Sequence, residues 1–404
     1  MADVVINTGP GRDRIEWADG QMPVLRSIRE RFAIEQPLEG LNVGACLHVT
    51  AETANLVATL ATGGANVALC AANPLSTQDE VADALRGAAA VYARHGESLD
   101  DFADNIKSVL LSKPRVTLDD GADLIQTLHA AGLPQDFVGA TEETITGLHR
   151  LRELGPECPV LAVNEAHTER VFNDHYGTGQ STLDGILRAT NLLLAGKTVV
   201  VFGYGFTGKG VAMRARGDGA HVVICEVDPL RALEARMEGF EVLPAIVAAS
   251  RGDVFITVTG VPAVLGTEHF SVMKDGAVLA NAGHFDVEID LAALREIAAD
   301  RHQVLPLVEE HVLDDGRRLH LLASGRVVNL AAGQGHPAEI MDISFAVQAL
   351  SVEHLALHGK DLPAGVQPVP LEIDNEVARL KLASLRVEID ALTDAQRRYL
   401  SRFE

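Results

Sequence analysis

The sequence predicts an α/β protein built on two parallel sheets, and three observations carry that prediction. Strand-like apolar runs alternate with helical patterns over residues 1–181. A second alternation of the same kind starts at Thr198. A glycine-rich turn, FGYGFTG, then follows the first apolar run of that second unit. Long continuous apolar runs, as opposed to alternating ones, belong to strands buried on both faces, which is the situation in a parallel sheet covered by helices.

In the first unit the expected strands are Leu41–Val49, Asn66–Cys70, Ala89–Ala93 and Arg115–Leu118, each a short apolar run bounded by turn residues. Ala51–Ala61 and Thr77–Leu85 have helical spacing between them. A helix from Leu183 leads into the second unit, where Thr198–Phe202 reads as a buried strand and Gly210–Arg216 as part of a helix. Between them stand Gly203, Gly205 and Gly208. In that strand–turn–helix context, G-x-G-x-x-G reads as a Rossmann-type dinucleotide site. The first glycine allows the tight turn, the second lets a pyrophosphate approach the backbone, and the third lets helix and strand pack closely. Tyr204, Phe206 and Thr207 lie within this turn. A second strand, His221–Val227, carries Glu226 about 20 residues on, where a carboxylate accepts both hydroxyls of an adenosine ribose. The acid favours NAD over NADP, although Arg231 nearby works against that preference.

Later strands are expected at Val254–Thr257, Gly276–Ala280 and Val304–Pro306, with Arg317–Leu322 and Arg326–Leu330 forming a hairpin. Pro337–His358 reads as a long helix crossing back to the first unit. The expected organisation is a substrate domain of residues 1–181 and 337–385, an NAD domain of residues 182–336 inserted in it, and a C-terminal segment of residues 386–404.

Composition narrows the function. Net charge is −22, with Lys and Arg interspersed, which argues against nucleic acid or an anionic membrane as partner. Hydrophobic residues make up 47% of the chain but aromatics only 4%, so the cores must be built mainly from Ala, Val, Leu and Ile. Cys46, Cys70, Cys158 and Cys225 show no metal-ligand spacing, so reduced thiols and no metal site are expected. The N-terminal residues lack a signal-peptide layout and no run is read as reaching transmembrane length, which gives a cytoplasmic expectation.

The motifs ACLHVTAETANL, ANPLSTQDEVADAL, TLDDGADL, GATEETITGLHRL, GYGFTGKG, CEVDP, NAGHFDVEID and VVNLAAGQGHP occur in this order. Together with the C-terminal IDALTDAQRRYL they resemble S-adenosylhomocysteine hydrolases from about Leu41 to the end of the chain. The resemblance implies a homotetramer of chains with a substrate domain and an inserted NAD domain. It also implies a cycle in which C3′ of an adenosine unit is oxidised, the C4′ proton is removed, the C5′ substituent leaves, water adds, and the ketone is reduced again. By the resemblance Asp120 is the C4′ base, while His48 and His284 serve proton transfer at C5′. Thr50, Glu52 and Thr53 bind the adenine edge and Glu143 the sugar. His336 follows a loop closing on adenine. Thr144, Ile145 (in place of a threonine), Thr146, Thr259, Gly260, Ala282, Gly283 and Asn329 contact the cofactor. Asp119 is expected to cap or support its neighbourhood.

One segment departs from the family pattern. VNEAHTERVFNDHYGTG places Glu169 where the hydrolases have a lysine that assists alcohol oxidation, Asn173 where they have an aspartate, and Asp174 where they have an asparagine. Glu169 becomes a candidate base for the 3′-hydroxyl. The expectation drawn from this break is a nucleoside dehydratase that loses water from an adenine nucleoside, for example a ketohexose nucleoside in antibiotic biosynthesis. S-adenosylhomocysteine hydrolysis is the alternative, and a catalytically silent NAD-binding regulator is the second alternative.

Overall fold

The computed structural model describes residues 6–284 and 286–402, so Phe285 of the NAGHF motif and the terminal residues 1–5 and 403–404 lie outside the described residues. The first six strands are β1 (Asn42–Leu47), β2 (Asn66–Ala71), β3 (Ala90–Tyr92), β4 (Val116–Asp119), β5 (Gly139–Glu142) and β6 (Pro159–Ala162). The chain then builds a second sheet from β7 (Thr198–Phe202), β8 (His221–Cys225), β9 (Glu241–Val242), β10 (Val254–Thr257), β11 (Ala277–Asn281), β12 (Ala298–Leu305), β13 (Val308–Leu313) and β14 (Arg318–Leu322). It returns to the first sheet with β15 (Gly365–Pro368), which pairs in parallel with β6. The second sheet is therefore an insertion between two neighbouring strands of the first.

Strand order in the first sheet is β15-β6-β5-β4-β1-β2-β3, all parallel. The order reverses between β1 and β4. In the second sheet the order is β12-β13-β14-β11-β10-β7-β8-β9, reversing between β7 and β10, with β12, β13 and β14 joined antiparallel. Ligands of open α/β sheets bind beyond the carboxyl ends of strands at such reversals. The residues leaving β1, β4, β7 and β10 are thus the ones placed to meet a ligand.

The helix Ala338–His358 lies against the first sheet and against the helices Pro23–Glu35 and Ala51–Thr62. Its buried Asp342 accepts hydrogen bonds from the backbone N–H of Leu25 at 2.8 Å and from Lys381 Nζ at 2.9 Å, fastening the C-terminal part of the chain to the N-terminal helices. This helix corrects one expectation. Ala338–Asp361, 24 residues, is long and apolar enough to cross a membrane, yet 67% of its most apolar window is buried inside the protein, where it serves as a core helix.

Other readings need correction as well. Arg326–Leu330 is not a strand: Val328–Ala331 is a short helix, and the antiparallel partner of β14 is β13. Val304–Pro306 is only the end of the longer β12. β8 stops at Cys225, which leaves Glu226 on the loop beyond it. The short strands β5, β6, β9, β13 and β15 have no counterpart among the expected elements.

Candidate active site

A cavity of about 500 Å³ opens between the two sheets. From the first sheet, His48 follows β1, Asp120 follows β4, and Glu143 follows β5. From the second, Thr259 and Gly260 follow β10, and Ala282, Gly283 and His284 follow β11. All these residues line the cavity, which matches the strand-end rule for both sheets.

His48 and Asp120 face each other, with Nε2 and Oδ2 3.4 Å apart. The other ring nitrogen, Nδ1, is 2.7 Å from Ser76 Oγ, and Ser76 in turn donates to the Asn73 carbonyl. The imidazole is therefore held on both edges. Asp119, wholly buried, accepts from the backbone N–H of Leu124 and Ile125 and so fixes the start of the helix Asp123–Ala131; burial pushes its pKa up to about 8. Asp120 is left free to point into the cavity. His284 stands on the cavity wall contributed by the second sheet, where enclosure by the cavity holds its imidazole below the usual range, with Asp120 pulling the other way.

Thr50, Glu52 and Thr53 begin the helix Ala51–Thr62. Thr50 caps it, and Thr53 Oγ1 donates to the His48 carbonyl at 2.5 Å, which ties this wall to the histidine. His336 Nε2 is 3.0 Å from Thr178 Oγ1, and burial, followed by His48, pushes its pKa down to about 4.

A third wall is made by the segment Glu169–Gly177, a π-helical turn continuing into the helix Thr178–Thr190. Widened turns of this kind recur at functional sites. Asp374, from the helix Leu371–Ser384, accepts from the backbone N–H of His167 at 2.6 Å and Thr168 at 3.0 Å and anchors the start of the segment. Its far end packs closely against the helix Phe206–Gly217: a side chain on Gly210 would meet the His175 carbonyl at 1.8 Å. Glu169 is only 3% exposed; burial pushes its pKa up to about 8, and Asp174, beside it, is pushed up to about 7 by the same cause. Glu143 is raised well above the carboxylate range, first by burial and then by Asp120 and Glu169. Four buried oxygens of cavity-lining residues have no hydrogen-bond partner: Glu143 Oε1, Asn164 Oδ1, Glu169 Oε1 and Asn329 Oδ1. Unmet acceptors of this kind, in a cavity of this size, suit a ligand rich in hydroxyl and amide groups.

The three glycines of the turn lie outside the cavity lining, while Thr207 of the same turn reaches it. Gly203 has φ +100°, and a Cβ at Gly208 would come within 2.1 Å of the Gly203 carbonyl, so both must be glycine. Gly205, at the start of the helix Phe206–Gly217, has open space above it; a Cβ there would meet nothing nearer than Arg231 Nη1 at 3.8 Å. Glu226 accepts from Tyr204 N–H at 2.7 Å and projects beside the turn. The turn suits a dinucleotide: Gly205 and the helix N-terminus would hold a pyrophosphate and Glu226 would hold a ribose. Thr144, Ile145, Thr146, Thr207, Thr259 and Asn329 continue from there into the cavity. Tyr204 offers only its backbone, because its buried ring turns inward and its hydroxyl donates to Glu238 at 2.8 Å.

Two buried carboxylates escape the sequence reading. Glu142 accepts from Gly121 N–H at 2.9 Å, Thr144 N–H at 2.8 Å and Thr144 Oγ1 at 2.7 Å, which joins the Asp120 loop to the threonine run. Glu288 accepts from Thr259 N–H, Thr259 Oγ1 and Gly260 N–H, each at 2.8 Å. No local pattern marks either residue, since Gly121 lies 21 residues from Glu142, and Thr259 and Gly260 lie 29 and 28 residues from Glu288.

Residues 2–136 match the family model described as S-adenosyl-L-homocysteine hydrolase, and residues 174–335 match its NAD binding domain. The chain is 55% identical over 402 residues to an adenosylhomocysteinase of Aquifex aeolicus, covering 98% of this chain and 96% of that one. It is 54% identical to an S-inosyl-L-homocysteine hydrolase of Methanopyrus kandleri, covering 98% and 95%. Among solved structures, a dipicolinate synthase polypeptide from Bacillus halodurans shares the fold alone, with TM-score 0.51 and 13% identity over 79% of this chain and 99% of that one. The full-length matches overturn the dehydratase expectation, along with its place in antibiotic biosynthesis: relatives about half identical from end to end are thioether hydrolases.

Proposed function

This chain belongs to the S-adenosyl-L-homocysteine hydrolase family, and we propose that it hydrolyses S-adenosyl-L-homocysteine to adenosine and homocysteine. The observation that carries the proposal is the convergence of His48, Asp120 and His284 on one cavity from the ends of three strands in two sheets. NAD+, when bound, would supply the acceptor and later the donor of the C3′ hydride. Asp120 Oδ2 takes the C4′ proton, made acidic by the C3′ ketone. His48, held by Ser76, and His284 move the protons that the departing thiolate gains and the entering water loses. Thr50, Glu52, Thr53 and His336 hold the base, and Glu143 holds the ribose hydroxyls. Glu226, with the glycine turn, holds the adenosine ribose of NAD.

We read Glu169, Asn173 and Asp174 as this chain's own variation on the family segment. The domain limits are proposed at residues 181/182, 336/337 and 385/386, with a cytoplasmic homotetramer as the working form. The test is incubation with S-adenosyl-L-homocysteine and, separately, its inosyl counterpart, with products read by mass spectrometry. Release of adenosine and homocysteine supports the proposal. Turnover of the inosyl compound alone transfers the reading to that substrate, and no thioether cleavage in either arm overturns it.

A further inference from the structure

Glu169 is a buried acid of this cavity whose charge is only partly provided for, by Ser344 and Asn173. Its Oε1 is buried and unpartnered, and its residue lines the cavity that also holds Glu143, Asn173 and Asp174. A solvent-shielded carboxyl oxygen with no protein donor, aimed at a ligand cavity, must find its partner in the ligand. Two neighbouring changes suit a carboxyl at this position. Asn173, where the family pattern has an acid, places a neutral amide beside it, and Asn173 Nδ2 donates to Ser344 Oγ at 2.8 Å. Asp174 carries the displaced acid one position further on, near Arg170.

We infer that Glu169 is the catalytic base and acid at the ribose 3′-hydroxyl, in the place of the family's lysine. In the forward step the O–H bond breaks and its proton bonds to Glu169. The C3′–H bond breaks and its hydrogen leaves with both electrons as a hydride, for which bound NAD+ would be the acceptor, so C3′ is oxidised to a ketone. On the return step Glu169 gives the proton back to the oxygen. The inference rests on the reading of this site as a hydrolase that oxidises C3′ transiently.

The groups facing Glu169 modify the effect of its burial. Asp174 stands on its own segment, Asp374 on the helix Leu371–Ser384, and Glu143 beyond β5; each is acidic and disfavours its charge. Ser344, from the helix Ala338–His358, and Asn173 are neutral and act the other way. Burial dominates, so the proton-accepting form is gained only as pH rises through about 8.

The experiment uses the NAD-loaded protein mixed with adenosine in a single turnover, with nicotinamide reduction followed by absorbance. Adenosine binding is measured separately by equilibrium dialysis. Wild-type reduction should speed up as pH rises through about 8. E169Q should bind adenosine within a few-fold of wild type, reduce NAD+ on the order of 10²–10⁴ times more slowly, and lose that pH inflection. E169D, which keeps the carboxylate, should recover part of the rate and provides the test should E169Q fold poorly. Reduction by E169Q at the wild-type rate, or with the inflection intact, overturns the assignment while leaving the hydrolase reading in place. Wild-type protein that neither reduces NAD+ nor cleaves a thioether overturns both.

Discussion

His48 Nε2 stands 3.4 Å from Asp120 Oδ2, although the two residues leave different strands and are separated by β2, β3 and the helices between them in sequence. The contact exists because β1 and β4 are neighbours at the point where the strand order reverses. It sets a carboxylate and an imidazole side by side, so that one can take a carbon-bound proton while the other serves the leaving group.

Asp120→Asn should therefore separate the two halves of the cycle. Overall hydrolysis should fall on the order of 10²–10⁴-fold, as for loss of a positioned base. Adenosine should still reduce the bound nicotinamide, because the C3′ step does not use Asp120. Loss of both signals would remove Asp120 from the C4′ step.

Ser76→Ala removes the partner of His48 Nδ1 without touching the cavity-facing nitrogen. A hydrogen bond of this kind contributes about 1 kcal/mol, which is several-fold in rate. kcat should drop by about that much with KM little changed. A larger rise in KM than fall in kcat would show Ser76 serving binding instead of ring orientation.

Gly205→Ala and Gly208→Ala should fail in different ways. Open space surrounds Gly205, so its alanine variant should keep the wild-type Tm of the cofactor-free protein while losing NAD affinity. At Gly208 the added methyl would lie 2.1 Å from the Gly203 carbonyl, so the strand and helix must part and Tm should fall. Calorimetry of both variants, with and without NAD, distinguishes the two. Equal Tm losses would mean that the space above Gly205 is not the pyrophosphate seat.

Much of this arrangement is legible in the sequence. β7 and β10 coincide with the apolar runs Thr198–Phe202 and Val254–Thr257, because strands buried on both faces leave unbroken β-branched stretches. β5, GATE, has a single apolar side chain and β6, PVLA, opens on proline, so neither stands out as an apolar strand. β13, VEEHVL, hides behind charges on a strand that pairs antiparallel beside an exposed neighbour, so the apolar VVNL stands out in its place as the hairpin arm. The π-helical turn at Glu169 has no sequence signature, since it depends on Asp374 and on close packing at Gly210. Glu142 and Glu288 act on backbone groups at least 20 residues distant as well as nearby ones, so only the folded chain reveals what they hold.

Glu169, Asn173 and Asp174 should also behave as a unit. E169K alone puts an ammonium into the cavity but leaves an amide at Asn173, where the family pattern supplies an acid. The triple variant E169K/N173D/D174N restores all three positions of that pattern. Its rate of nicotinamide reduction should exceed that of E169K by at least roughly tenfold, because groups in contact are not additive. Equal rates for the single and triple variants would mean that the three positions act independently.

The raised pKa of Glu169 also carries a stability signature that needs no cofactor or substrate. Its folded value is about 8 against an ordinary value of 4.5, so between these limits the folded protein holds a proton that the unfolded chain has released. The unfolded state binds fewer protons there, and stability contributed by this group falls as pH rises through that window. The contribution is complete below pH 4.5 and is lost once pH passes about 8. At about 1.4 kcal/mol per pH unit, the loss is at most on the order of 5 kcal/mol. E169Q cannot ionise, so its stability relative to wild type should increase steadily from about pH 5 to about pH 9, as measured by urea unfolding of cofactor-free protein. A difference that stays flat across that range would mean that Glu169 is charged in the folded protein throughout, and is not the proton-holding acid that its burial implies.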